Sequence, residues 1–222
     1  MRRVVILMLV LLVSFNICGQ EPMKKIALQE GIHNIEYDHL NLTALLQVYN
    51  EESATHLIGD LFLSLEHDGE EVASFYVEID TSAKEYLTKI YKNYLLTFMI
   101  ENSNRYLIIE KADFGKKFAL SSNRSATIGN PHHAIELAIT DYIYESGYDG
   151  PPEDENRNYF TDVHYTLKVK VKDVVKNFSF YSSEIKGDFI IELQDYEIQI
   201  LSDLYKNSYC LIEMVVHRKE DK

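Results

Sequence analysis

The chain predicts an all-β fold: two tandem, Ig-like antiparallel β-sandwich domains that arose by an internal duplication. Three observations carry this expectation. Apolar residues alternate with polar ones along most of the length. Turn-forming residues break these runs at spacings of about 8–12 residues, the rhythm of a sandwich. Five segments of the first half also reappear, in the same order, in the second.

The first segment stands apart from the fold. Arg2 and Arg3 precede an unbroken apolar run over residues 4–13, and a more polar stretch ends in Cys18-Gly19-Gln20. A charged start, a short apolar run and a small residue make a secretory signal. The run is shorter than the roughly 20 apolar residues of a membrane-spanning helix, so no transmembrane helix is expected in the mature chain. A permanent N-terminal anchor is the plainer alternative. Cleavage after Gly19 releases a soluble chain beginning at Gln20. The other chemistry is lipidation of Cys18, although Ile17 is large and β-branched where a lipoprotein signal carries a small residue. The organisation expected is a signal peptide over 1–19, one sandwich over 20–113 and a second over 114–222.

Removing residues 1–19 takes away two arginines and no acid, moving the formal charge from −13 to −15. Phosphate recognition runs on clustered Lys and Arg, so nucleic acid is not an expected partner. Anionic lipid surfaces are disfavoured for the same reason. Cys210 is then the single remaining thiol, and an exported chain without an internal disulfide must hold its fold by burial. Cys210 lies in the apolar run Tyr209-Cys210-Leu211-Ile212, which reads as a small buried hydrophobe.

The first copy reads as consecutive hairpins. Residues 57–65 and 72–79 flank His67-Asp68-Gly69, and an Asp-Gly pair between β-rich runs marks a tight turn. Residues 94–101 and 106–110 flank Asn102-Ser103-Asn104. Residues 82–93 fit a strand or a short helical turn equally well. In the second copy, Tyr165, Leu167, Val169 and Val171 alternate with Thr166, Lys168, Lys170 and Lys172, the pattern of a half-buried strand. Residues 189–193, 196–201 and 209–216 follow. Counting runs gives about seven strands per copy.

The repeat itself pairs Lys24-Lys25-Ile26-Ala27-Leu28 with Lys116-Lys117-Phe118-Ala119-Leu120. It then aligns the segment from His39 with that from His133, Tyr49…Glu52-Ser53 with Tyr144-Glu145-Ser146, and Val72…Phe75 with Val175…Phe178. The last pair joins Arg105…Glu110 to Ser208…Glu213. No Pro/Ser/Gly-rich linker separates the copies at residues 112–115, so they should abut closely.

Residues 146–159 are largely absent from the first copy. Asp149, Glu153, Asp154, Glu155, Asn156 and Asn158 supply oxygens for a calcium site, which takes about 6–8 oxygen ligands. Their order matches no EF-hand, and a solvated acidic loop is the plainer reading. His132, His133 and His164 are a weak zinc set, because adjacent histidines on a strand point to opposite faces. Sixteen tyrosines and no tryptophan allow a glycan platform, though tyrosines more often line sandwich edges with the hydroxyl in water. No nucleophile elbow, zincin helix, P-loop or dinucleotide fingerprint occurs, so no catalytic residue and no cofactor is assigned.

Phe114-Gly115-Lys116-Lys117-Phe118-Ala119-Leu120, then Ile128-Gly129 and residues 135–139, resemble small secreted β-sandwich domain proteins of Bacteroidetes-type bacteria. Cys18-Gly19-Gln20 looks like the end of their export signals. The resemblance implies a periplasmic or extracellular place, with an outer-membrane lipoprotein as the alternative, and it supplies no catalytic residue. The function expected is an exported binding or scaffold protein for a protein or glycan ligand. The alternative is a hydrolase with a carboxylate site where the two copies meet.

Overall fold

The computed structural model describes residues 23–52, 57–78, 86–102, 104–153, 156–186, 189–206 and 209–219. The signal segment, its cleavage site and Cys18 lie outside the described residues. So do Asp154 and Glu155 of the acidic loop.

Alternation and turn chemistry build the strands. In the first half they are β1 (Met23–Leu28), β2 (Gly31–Tyr37), β3 (Leu40–Glu52), β4 (Leu57–His67), β5 (Glu70–Glu78), β6 (Thr88–Tyr91), β7 (Tyr94–Glu101) and β8 (Asn104–Lys111). The second half supplies β9 (Lys117–Ser121), β10 (Ser125–Asn130), β11 (His133–Tyr148), β12 (Tyr159–Val171), β13 (Val174–Tyr181), β14 (Phe189–Leu193), β15 (Tyr196–Lys206) and β16 (Tyr209–Arg218). One 3-10 turn, Ser182–Glu184, follows β13. Asp68 and Gly69 both take positive φ, 55° and 80°, in the predicted Asp-Gly hairpin turn.

The strands form three sheets. A central eight-stranded sheet runs β1-β8-β7-β6-β9-β16-β15-β14, and two four-stranded sheets run β2-β3-β4-β5 and β10-β11-β12-β13. The order is the same in both halves: the first strand pairs with the last, strands two to five form a meander, and strands six to eight form another. The halves meet where β6 pairs in parallel with β9 through Lys89 and Ala119.

That joint, continued by a parallel bridge between Lys92 and Ala126, sets the architecture. Register partners share a face of a sheet. Lys89, Tyr91 and Ala119 therefore lie on one face, and Ile90 and Leu120 on the other. Tyr91, Leu96, Phe98, Leu107 and Ile109 pack on the β2–β5 sheet in one core. Phe118, Leu120, Ile212, Met214 and Val216 pack on the β10–β13 sheet in another. The two small sheets thus cover opposite faces of the large one, at opposite ends. The cores also interlock, since Ile90, Leu95 and Ala112 of the first half belong to the second core. Within the second half Gly129 is closely packed: its φ is +90°, and an added Cβ would sit 2.2 Å from the His133 carbonyl oxygen and 2.6 Å from the Phe114 ring.

The all-β expectation holds, and the packed sheets are those of a β-sandwich. Among the described residues each half carries eight strands rather than seven. Strands two to five form one sheet, and strands six to eight join the first strand in the other, unlike the ABED and CFG division of an Ig sandwich. Strand count and spacing are blind to that difference, because they do not encode which sheet a strand joins. Residues 88–91 of the ambiguous segment are strand, and residues 82–85 lie outside the described residues. The match of His39 with His133 is out by one residue. Leu40, Leu42 and Ala44 point inward, as do Ile135, Leu137 and Ile139, so that alignment would set buried Leu42 against exposed Glu136. A one-residue slip reverses every side chain of a strand.

Candidate functional site: the cleft between the halves

Because the small sheets sit on opposite faces, each leaves half of the central sheet uncovered on its own side. Beside the β2–β5 sheet this makes a cleft of about 890 Å³ between the two halves. Its floor is the open face of β9, β15 and β16, presenting Lys117, Ser202, Leu204, Lys206, Leu211 and Glu213. Phe62, Ser74, Phe75 and Tyr76 of β4 and β5 form the wall, and Tyr86, Leu87 and Lys89 close the corner.

The polar groups have defined partners. Lys89 is only 8% exposed. Its Nζ donates to the Ser74 carbonyl oxygen and sits 5.0 Å from the centre of the Phe75 ring. Arg124, on the turn after β9, donates to the Glu71 carbonyl oxygen. The two cations cover carbonyls of β5, an edge strand whose open groups would otherwise invite pairing. Lys117 Nζ lies 3.0 Å from Glu213 Oε1, and Ser202 Oγ donates to Glu213 Oε2 at 3.2 Å. Lys206 is exposed and has no partner among the described residues. Burial raises the phenol pKa of both Tyr86 and Tyr209, so both stay neutral O–H groups near neutrality.

Three lysines therefore face one carboxylate in a chain with a formal charge of −13. A carboxylate-based hydrolase needs two acids across its cleft. Among the described lining residues only Glu213 is acidic, and Lys117 and Ser202 occupy its oxygens.

The acidic loop is organised differently. Asp149 Oδ1 accepts the Asn158 N–H at 2.7 Å, and its Oδ2 accepts Asn158 Nδ2 at 3.2 Å. Those hydrogen bonds hold the Asp149 carboxyl below its ordinary pKa, so Asp149 and Asn158 clasp the base of the loop. Of the other predicted calcium ligands, Glu153 is exposed, and Asp154 and Glu155 lie outside the described residues. Among the described residues no three His, Cys, Asp or Glu side chains converge on a metal position.

His132 and His133 donate their backbone N–H groups to Asn130 Oδ1 in a turn. His164 pairs across the sheet with Ile143, ten residues along β11 from His133. At about 3.3 Å per residue this separates the histidines by roughly 33 Å. Cys210 is fully buried, as its setting suggests, and burial lifts its thiol to about 11. The tyrosines divide. Tyr37, Tyr91, Tyr94, Tyr165 and Tyr196 fill cores, whereas Tyr144, Tyr148 and Tyr159 stand half exposed on the β11–β12 arm.

The sequence did not single out Lys89, Lys117, Lys206, Tyr86 or Tyr209. Lys89 alone left a trace, as a charge inside the apolar run from Leu87 to Tyr91. Lys117, Lys206 and Tyr209 share a face through the pairing of β9, β16 and β15, and Tyr86 joins them where β6 meets β9. No helix among the described residues is long and apolar enough to cross a membrane, which says nothing of strands that do. Compared with protein-family models, characterised proteins and solved structures, the chain finds no match.

Proposed function

We propose that this is an exported, non-catalytic binding protein of the periplasm or extracellular space, built from two copies of one up-and-down sandwich unit, and that its ligand occupies the cleft between them. The observation that carries this reading is the cleft itself. Its volume falls within the roughly 300–1,000 Å³ of ligand sites, and such sites favour domain interfaces. Aromatic and leucine side chains line it, with a few placed polar groups. The repeated strand order supports a duplication, residues 20–113 forming the first unit and residues 114–222 the second. The N-terminal signal and its likeness to Bacteroidetes-type secreted proteins support export.

The test is a titration of the mature chain with N-phenyl-1-naphthylamine, an uncharged aromatic probe that brightens in apolar surroundings. One probe should bind per chain. Leu204→Glu, at a 41% exposed position on the floor, should weaken binding at least about tenfold by setting an unpaired charge against an apolar body. Unsaturable binding, or binding indifferent to Leu204→Glu, would reject the cleft as the site. Mass spectrometry of the exported chain separates a start at Gln20 from an acylated Cys18.

A further inference from the structure

The cleft's chemistry narrows what it takes, and the inference rests on the cleft being the binding site. Its exposed apolar side chains are Leu204 on the floor, Leu87 at the corner and Tyr76 on the wall, while Leu211 and Phe75 are buried. Its charges are asymmetric. Lys89 is spent on the Ser74 carbonyl and the Phe75 ring, and Lys117 is shared with Glu213. Lys206 is a cation with no partner among the described residues, and its register partner Tyr209 stands on the same face.

From this complementarity we infer that the cleft binds a small amphiphilic anion, a single carboxylate or sulfonate head on an apolar body. The head sits at Lys206, beside its register partner Tyr209. The body lies over Leu204 against Leu87 and Tyr76. A polyanion is disfavoured by the formal charge of −13 on the chain. A single head at contact distance is not, because charges beyond a Debye length of about 8 Å are screened at physiological salt. A neutral ligand would leave the Lys206 ammonium group without the charge-assisted hydrogen bonds it can make.

The experiment compares two probes with one body on the full mature chain. N-phenyl-1-naphthylamine is neutral, and 1-anilinonaphthalene-8-sulfonate adds one sulfonate. The sulfonate probe should bind about tenfold more tightly. Lys206→Met should abolish that preference while leaving the neutral probe within about twofold, since methionine keeps the apolar stem. The position is exposed, and an unchanged melting temperature confirms the fold. Equal affinities, or a preference that survives the substitution, would overturn the anion inference and leave the cleft standing. Failure of both probes would overturn the cleft first. Displacement of the sulfonate probe by decanoate marks an aliphatic body and displacement by 1-naphthoate an aromatic one. Displacement by neither overturns the ligand class.

Discussion

The β6–β7 hairpin of the first half and the β14–β15 hairpin of the second share a geometry and differ in chemistry. Lys92 and Gln194 take the same left-handed turn position, with φ of 55° and 53°. The residue after each last strand donates its N–H to the same turn carbonyl, Ala112 to Asn93 and Lys219 to Asp195. That fixes the equivalences: Ile90 with Glu192, Leu95 with Glu197, and Ala112 with Lys219. The first member of each pair is buried in the second core. Of the second members, Glu192 and Lys219 are exposed and pair at 2.7 Å.

The difference teaches how the chemistry of a hairpin face follows from whether that face is covered. The joint is head to tail: the sixth strand of the first half meets the first strand of the second. Such a contact does not close on itself. In the first half the outward face of the hairpin is apolar because the second half covers it. In the second half the same face is charged, and an edge carrying charge resists further addition.

Three variants break or sharpen this comparison. The largest effect is expected from Leu95→Glu, which gives the first half the character of the second. Leu95 is 1% exposed, and an unpaired buried charge costs about 3–5 kcal/mol. Urea denaturation should show that loss, and the single transition of the interlocked halves should split into two.

A smaller effect separates the cores by pH. Tyr165 donates to Asp203 Oδ2 at 2.6 Å, and Asp203 Oδ1 accepts Ser182 Oγ at 2.9 Å. Burial, then the Asp203 carboxylate, push the Tyr165 phenol far above its ordinary value. Cys210 is raised from 9.0 to about 11, chiefly by burial. Groups with raised folded values stabilise fully below their unfolded pKa, and that stability is lost as pH climbs through the folded value. The melting temperature should therefore fall between about pH 9 and 11. Tyr165→Phe with Cys210→Ala should flatten that fall, at a cost near neutrality of about 1–2 kcal/mol for the lost Tyr165 hydrogen bond. An unchanged alkaline slope would mean that these two groups do not govern it.

The smallest effect on stability is expected from Glu192→Ile with Lys219→Ala, within about 0.5 kcal/mol at a surface pair. Its signature is association. Light scattering should show the variant forming dimers and longer species with rising concentration while the parent chain stays monomeric. A monomeric variant would show that the charged pair is not what keeps this face from pairing.

Much of the fold was legible along the chain because strands are local. Tyr165, Leu167, Val169 and Val171 alternate with polar residues and end up fully or almost fully buried. Asp68-Gly69 marked its turn through the rarity of positive φ. The residues of the cleft carried no such signal. Lys117, Lys206 and Tyr209 look like ordinary strand-surface residues, and they share a face because β9 pairs with β16, about 90 residues further along the chain. Asp149 was legible as an oxygen donor, but not as one already engaged with Asn158.

By itself the sequence determined the strands, their inward faces and the repetition of a pattern, because alternation and turn preference act over a few residues. Only the tertiary structure decided that the strands follow an up-and-down order, that the two small sheets cover opposite faces, and that a lysine-rimmed cleft opens between the halves. Those outcomes depend on which edges meet and on what the meeting buries, and pairing between distant edges leaves no period in the chain.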